Sequence, residues 1–283
     1  MNNIKYNITA GSSLWLLLFV SIIGYILVGL VGLFLPSDNA TLALRIGSVF
    51  QQVFAFIAPA IVCALISTRR PDIMLRLRGK IHSKALLWTI VVMIVSMPAM
   101  EALVQLNDAM PMPEPLYNFF RTIEDSAAQV TETMIGGHTV GNLIVNLLIM
   151  AVMTGFSEEI LFRGALTGTL ARTRLGVVGG IWVGAIIFSL MHMQMFGFFP
   201  RMLLGAFFGY LMFWSGSIWL CVIAHAINNG LYIIAKYLGY DEATVEQTSI
   251  SIIIVAISIV LTIYSINQLR CATLEPKEPQ DNA

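Results

Sequence analysis

The sequence predicts an all-α, polytopic membrane protein. It has about eight transmembrane helices, both termini on the cytoplasmic side, and an amphipathic helix on the opposite face between the third and fourth spans. Three observations carry this. Of 283 residues, 57% are hydrophobic and only 11% are charged, against roughly 25% charged in a soluble domain, and mean hydropathy is +0.80. Eight apolar runs approach the roughly 20 residues needed to cross a hydrocarbon layer of about 30 Å. Basic residues also gather in alternate loops, as the positive-inside rule requires. The same composition excludes several functions. A net charge of zero provides no basic field for nucleic acid. No Gly-rich loop carries a lysine at phosphate-cradling spacing, so no nucleotide site is expected. There is no internal repeat and no low-complexity segment, so residues 1–283 read as one integral-membrane domain.

The apolar runs fall at 14–35, 44–67, 84–104, 141–164, 177–196, 200–214, 217–238 and 249–268. Only Lys5 precedes the first, whose apolar stretch is longer than a signal-peptide core, so it reads as a retained anchor. The second loop holds Arg69, Arg70, Arg76, Arg78, Lys80 and Lys84 and is therefore cytoplasmic. Alternation then places Lys5, Arg163, Arg172, Arg174, Arg270 and Lys277 inside with those six, and Arg45, Arg121, Arg201 and Lys236 outside. The outer connection 105–140 opens with Pro111, Pro113 and Pro115, which favour extended or turning chain. Leu116, Phe120, Ile123, Ala127, Val130 and Met134 then recur at helical spacing, with Glu124, Asp125 and Glu132 between them. That pattern predicts an amphipathic helix lying on the surface or capping the bundle, a structural lid rather than a substrate site. Cys63 and Cys221 lie in apolar runs and Cys271 follows the last one, which suits neither a disulfide framework nor a zinc site. Cys271 reads as a plain thiol rather than an acylated one. The terminal PQDNA has no prenylation cysteine, so the chain is not expected to be a prenylated product.

An ionisable side chain inside a span costs about 2.5–3.5 kcal/mol on insertion scales, and such residues are functional candidates. The fourth run carries three of them, in GFSEEILFRG at 155–164. Glu159 and Arg163 are four apart, on one face and in the favourable order for an ion pair. Glu158 is rotated by about 100° from Glu159 and needs a partner from another helix. His192, ending FSLMH in the fifth run, and His225, opening HAINN in the seventh, are the candidates. Counting from the cytoplasmic turn near 172–176 at about 1.5 Å per residue puts Glu158 and His192 within a turn or two of each other. His225 and Asn229 share a face somewhat nearer the cytoplasm.

A desolvated carboxylate beside a neutral histidine can act as a general base on water. A second histidine and an amide can donate to the oxyanion that forms at an attacked carbonyl. A divalent metal such as zinc, held by Glu158, His192 and His225 with water as fourth ligand, is the main rival. The helical HExxH signature of many zinc proteases is absent. The residues leave metal-assisted and metal-free chemistry both open.

EEILFR, FSLMH and HAINN fit the patterns EExxxR, FxxxH and HxxxN, in that order and on successive late spans. Together they resemble the CPBP family, the CAAX prenyl endopeptidases and bacteriocin-processing or self-immunity (Abi) proteins. The resemblance covers 141–238, which it marks as the catalytic core. It implies an α-helical intramembrane endopeptidase of glutamic type, with no cofactor favoured and a cavity opening to the cytoplasm. Glu158 would activate water, His192 would orient it, and His225 and Asn229 would stabilise the oxyanion. Glu159 and Arg163 would hold the motif together, Phe188 opens the FxxxH element, and Asn228 packs or bonds to backbone beside the site. The short tails and the lack of added domains look like a multi-pass member of a bacterial inner membrane. Its partners would be the lipid bilayer and a peptide or membrane-protein substrate, without nucleic acid; the oligomeric state is left open. Two other readings compete. A non-catalytic scaffold of the same family would bind or sequester a peptide. A small transporter would use the buried charges as a proton relay, against which stands the missing repeat.

Overall fold

The computed structural model describes residues 4–239 and 251–274. The start of the eighth apolar run at 249–250, Lys277 and the terminal PQDNA lie outside the described residues. Helices dominate, and the only extended pairing among the described residues is the isolated bridge between Tyr6 and Thr68. In chain order the long helices are α1 (Ala10–Gly32), α2 (Ala40–Ser67), α3 (Ser83–Val95), α4 (Met97–Asp108), α5 (Glu114–Ile135) and α6 (Val140–Leu170). They continue with α7 (Gly176–Met191), α8 (Phe198–Ser215), α9 (Ile218–Tyr237) and α10 (Ile252–Leu274).

Six of these, α1, α2, α6, the α8 segment, α9 and α10, are long and apolar enough to cross a membrane. The bent pair α3–α4 makes a seventh if counted as one span. The chain is a multi-pass membrane protein. Two of the eight expected runs differ in form. The third breaks by 45° between Val95 and Met97, where Pro98 lacks an N–H for the preceding turn and its ring crowds that turn's carbonyl. The fifth ends at Met191, not at 196. At 16 residues α7 is about 24 Å long, less than a bilayer core. Its chain then turns through Met193, whose φ is +57°.

α9 stands at the centre, with an apolar cluster on each side. One joins Leu17 of α1, Ala55, Phe56 and Ala60 of α2, Ile160, Leu161, Phe162 and Ala165 of α6, Phe188 of α7 and Val222 of α9. The other joins Val92 of α3, Phe208 and Leu211 of α8, Leu220 and Ala224 of α9, and Leu269 of α10. α1 and α10 turn large apolar side chains outward, among them Trp15, Phe19, Ile26, Val260 and Ile263. Surface of that kind suits lipid, not water.

α6 and α9 touch at backbone distance. A Cβ on Gly155 would lie 3.1 Å from the Ala226 nitrogen and 3.2 Å from the Val222 carbonyl oxygen. Gly155→Val is therefore expected to destabilise the protein by about 1–3 kcal/mol through overpacking, read as a lower unfolding midpoint in detergent. Gly29→Ala, where a Cβ meets nothing within 4 Å, should leave the midpoint unchanged or slightly raised.

α6 is not uniform. It runs α (Val140–Asn146), π (Leu147–Met153), α (Thr154–Glu159), π (Ile160–Thr167) and α (Gly168–Leu170). A π segment inserts a residue into the turn and leaves carbonyls without their usual helical donor. Side chains occupy them: the Ile149 carbonyl accepts from Gln52 Nε2 at 3.2 Å and Thr154 Oγ1 at 3.0 Å, and the Met150 carbonyl accepts from Asn229 Nδ2 at 3.1 Å. A third π segment, Gln52–Ile57 in α2, packs on the same short stretch Thr154–Glu159.

α5 is anchored at both ends. Its last carbonyls accept from α2 and α6: Thr41 bonds Thr133, Arg45 bonds Met134 and Ile135, and Asn146 bonds Ile135. Gly136, at φ +65°, closes the helix. Near its start, Arg121 bonds Asp108 at 2.7 Å and lies 4.0 Å over the Phe196 ring.

Candidate active site

The site forms where Thr154–Glu159 meets α9 and the end of α7. The π segments on either side set its rotation, because one inserted residue turns every following side chain by about 100°. Glu159 is fully buried, and Arg163 is 2% exposed. Their contact, Arg163 Nε to Glu159 Oε2, is 3.1 Å. It is electrostatic and not an aligned hydrogen bond, since Oε2 and Arg163 Nη1 have no aligned partner among the described residues. The guanidinium lies 4.3 Å over Phe188 and 5.4 Å over Phe208, and Nη2 donates to the Gly205 carbonyl at 3.3 Å. Arginine suits this position because its planar charge stacks on rings and is weakly hydrated.

His225 joins the two glutamates. Its Nδ1 is 2.8 Å from Glu159 Oε1, and since a carboxylate oxygen only accepts, Nδ1 carries the proton. Its Nε2 faces Glu158 Oε2 at 3.7 Å. That is too long for a direct hydrogen bond, yet short enough for one oxygen atom to touch both. Glu158 Oε2 is buried and no group among the described residues hydrogen-bonds to it. The Glu158 side chain as a whole is 12% exposed. Glu158 and Glu159 therefore part as their spacing requires: Glu159 takes Arg163, and Glu158 faces another helix.

His192 caps the end of α7. Its Nδ1 lies 2.9 Å from the Phe188 carbonyl and donates to it, which leaves Nε2 as the acceptor nitrogen. The Phe188 ring stands edge-on to both histidines, at 5.1 Å from His192 and 6.1 Å from His225. It divides the buried Arg163 from the more open His192. Asn229 holds the Met150 carbonyl with one amide hydrogen and has a second to offer. Asn228 is exposed and donates to Asn229 Oδ1 at 3.3 Å, so it bonds its neighbour's side chain and not the backbone.

Several contributors come from outside the three motifs. Gln52 of α2, only 4% exposed, holds the π carbonyl that precedes the glutamates and also bonds Thr154 Oγ1 at 3.1 Å. Tyr25 of α1 and Arg201 of α8 lie within electrostatic reach of Glu158. In the sequence Gln52 gave a signal that went unused, as a polar amide inside an apolar run. Tyr25 gave none. Among the described residues, no three His, Cys, Asp or Glu side chains are gathered as a metal-binding set. His225 commits Nδ1 to Glu159 and keeps Nε2 towards Glu158.

Residues 140–231 match the family described as type II CAAX prenyl endopeptidase Rce1-like. Over that segment, the chain is similar to the CAAX protease family. The segment runs from the start of α6 into α9 and contains Glu158, Glu159, Arg163, His192, His225 and Asn229. α1–α5 and α10 lie outside it. Neither a curated protein nor a solved structure matches the chain. The matched family is one of peptidases, and the segment similar to it holds the buried polar cluster.

Proposed function

We propose that the protein is an intramembrane glutamic-type endopeptidase of a bacterial inner membrane, cleaving membrane-associated or exported peptides. The observation that carries this is Glu158 Oε2, buried, without a hydrogen-bond partner among the described residues, and 3.7 Å from His225 Nε2. A carboxylate held so is costly unless it is used. In this reading a water sits between Glu158 and the free Nε2 of His192. Glu158 takes one of its protons as the oxygen adds to the peptide carbonyl. The oxyanion accepts from Asn229 and from His225, whose imidazolium form, flanked by two carboxylates, donates from both nitrogens. Glu158 then passes its proton to the leaving nitrogen as the C–N bond breaks, giving a carboxylic acid and an amine. Residues 141–238 supply the groups that act, and α1 and α2 hold them in register. The basic end faces the cytoplasm, with both termini, which sets α5 on the outer side.

The test is a mass-spectrometric comparison of membrane and secreted peptides from cells carrying wild type or Glu158→Gln at equal abundance. A substrate should accumulate intact in the variant and its fragments should vanish. Identical peptide profiles would transfer the protein to the sequestering scaffold.

A further inference from the structure

α7 ends at His192 although the residues that follow, Met193, Gln194, Met195 and Phe196, do not require it to stop. Methionine and glutamine are good helix formers. The last turn nevertheless tightens. The His192 N–H bonds the Ser189 carbonyl at 3.3 Å and the Met193 N–H bonds the Leu190 carbonyl at 2.9 Å, each three residues back. Met193 then enters the left-handed region at φ +57°, which a residue with a side chain keeps only where its surroundings impose it. The tightening frees the Phe188 carbonyl, which in a continuing helix would take the N–H of His192. His192 Nδ1 occupies it instead, at 2.9 Å. If α7 ran on, the backbone N–H would claim that carbonyl and release the ring.

Arg201, in the first turn of α8, grips the chain two residues after His192. Its Nη1 donates to the Gln194 carbonyl and its Nη2 to Gln194 Oε1, each at 3.1 Å. One planar fork thus holds a backbone and a side-chain oxygen together, which a lysine ammonium does less rigidly. Gln194 Nε2 donates onward to Glu124 Oε1 of α5 at 3.2 Å. The guanidinium crosses the open face of Gly197, where a Cβ would lie 2.9 Å from Nη2. Arg201 and Gly205 are four apart, on one face of α8, and that face meets α7. A Cβ on Gly205 would stand 3.1 Å from the Phe188 ring and 3.4 Å from the Ala185 Cα. Further bonds brace the rest of the turn: Ser189 Oγ donates to the Phe198 carbonyl at 2.7 Å, and Asn107 Nδ2 of α4 to the Met195 carbonyl at 3.0 Å.

We infer that Arg201 is a positioning residue for His192. By pinning Gln194 it stops α7 one residue after the helix proper, keeps the Phe188 carbonyl open to His192 Nδ1, and so fixes the ring in its Nδ1–H tautomer with Nε2 as the acceptor. The role in catalysis rests on the peptidase reading above, in which that Nε2 orients the water Glu158 activates. Arg201 lies outside the three motifs and acts through the backbone, not on the reacting atoms.

The test reads the ring first and turnover second. Protein with histidines labelled at their ring nitrogens, held in lipid nanodiscs at a pH where the rings are neutral, reports each tautomer from its nitrogen shifts. His192→Gln assigns the signals of His192. Wild type should show the Nδ1–H form alone, and Arg201→Gln should lose it to a mixture of both tautomers. Gly197→Ala displaces the guanidinium while keeping every bonding group, and it should move the ring in the same direction even if Arg201→Gln folds poorly. Arg201→Lys, which keeps the charge without the fork, should recover no more than part of the Nδ1–H form. On the peptide that accumulates in Glu158→Gln cells, kcat of Arg201→Gln should fall by about 10²-fold at unchanged KM, the usual cost of a small misplacement. An unaltered tautomer in both Arg201→Gln and Gly197→Ala overturns the inference, and so does full recovery by lysine. A rise in KM alone overturns it too, since Arg201 would then bind substrate. The ring measurement needs no turnover, so loss of the clamp is told apart from loss of the peptidase reading, which falls if peptide cleavage is indifferent to Glu158.

Discussion

Arg163→Met is expected to destabilise the protein by about 3–5 kcal/mol, the cost of breaking a buried ion pair by removing one partner. The reason is local. Glu159 is fully buried, and beyond Arg163 its hydrogen-bond partner among the described residues is His225 Nδ1. The space the guanidinium leaves is walled by Phe162, Phe188 and Phe208, none of which can solvate a carboxylate. The variant should reach the membrane at low abundance and unfold at a clearly lower temperature in detergent. Adding Glu159→Gln removes the stranded charge and should recover much of the loss, a coupling that a double-mutant cycle measures. Additive losses would mean the pair does not act as a unit.

His225→Ala should lower kcat by about 10²–10³-fold, the usual effect of removing one oxyanion donor, once a substrate is in hand. It also leaves Glu159 Oε1 buried and unbonded, which costs about 1–3 kcal/mol of stability. Two separate readings are therefore expected to move: the rate, and by less the unfolding midpoint. His225→Gln keeps an amide donor near Glu159 and should restore the midpoint more than the rate. An effect on stability alone would make His225 a packing residue.

Much of this arrangement was legible in the chain. The pairing of Glu159 with Arg163 follows from a separation of four residues in a helix, and the isolation of Glu158 from the neighbouring 100° turn. The bilayer-length runs are readable because lipid demands long apolar stretches whatever the fold. Hydropathy did not reveal that α6 changes winding twice around the glutamates. A π segment inserts a residue without altering composition, and its freed carbonyls are satisfied by Gln52 and Asn229 from helices far away in sequence. Nor could it mark α7 as short. FSLMHMQMFGFF remains apolar past His192, but Met193 turns the chain and ends the helix there. Tyr25 and Arg201 reach the vicinity of Glu158 only through packing, which no local pattern announces.

The most direct test of the central claim is steady-state cleavage of the identified peptide by purified protein in lipid, wild type against Glu158→Gln. The substitution keeps size and hydrogen-bonding shape while removing the base. A fall in kcat of about 10²–10⁴-fold, at unchanged unfolding midpoint, is the expected result. Full activity in Glu158→Gln would contradict it.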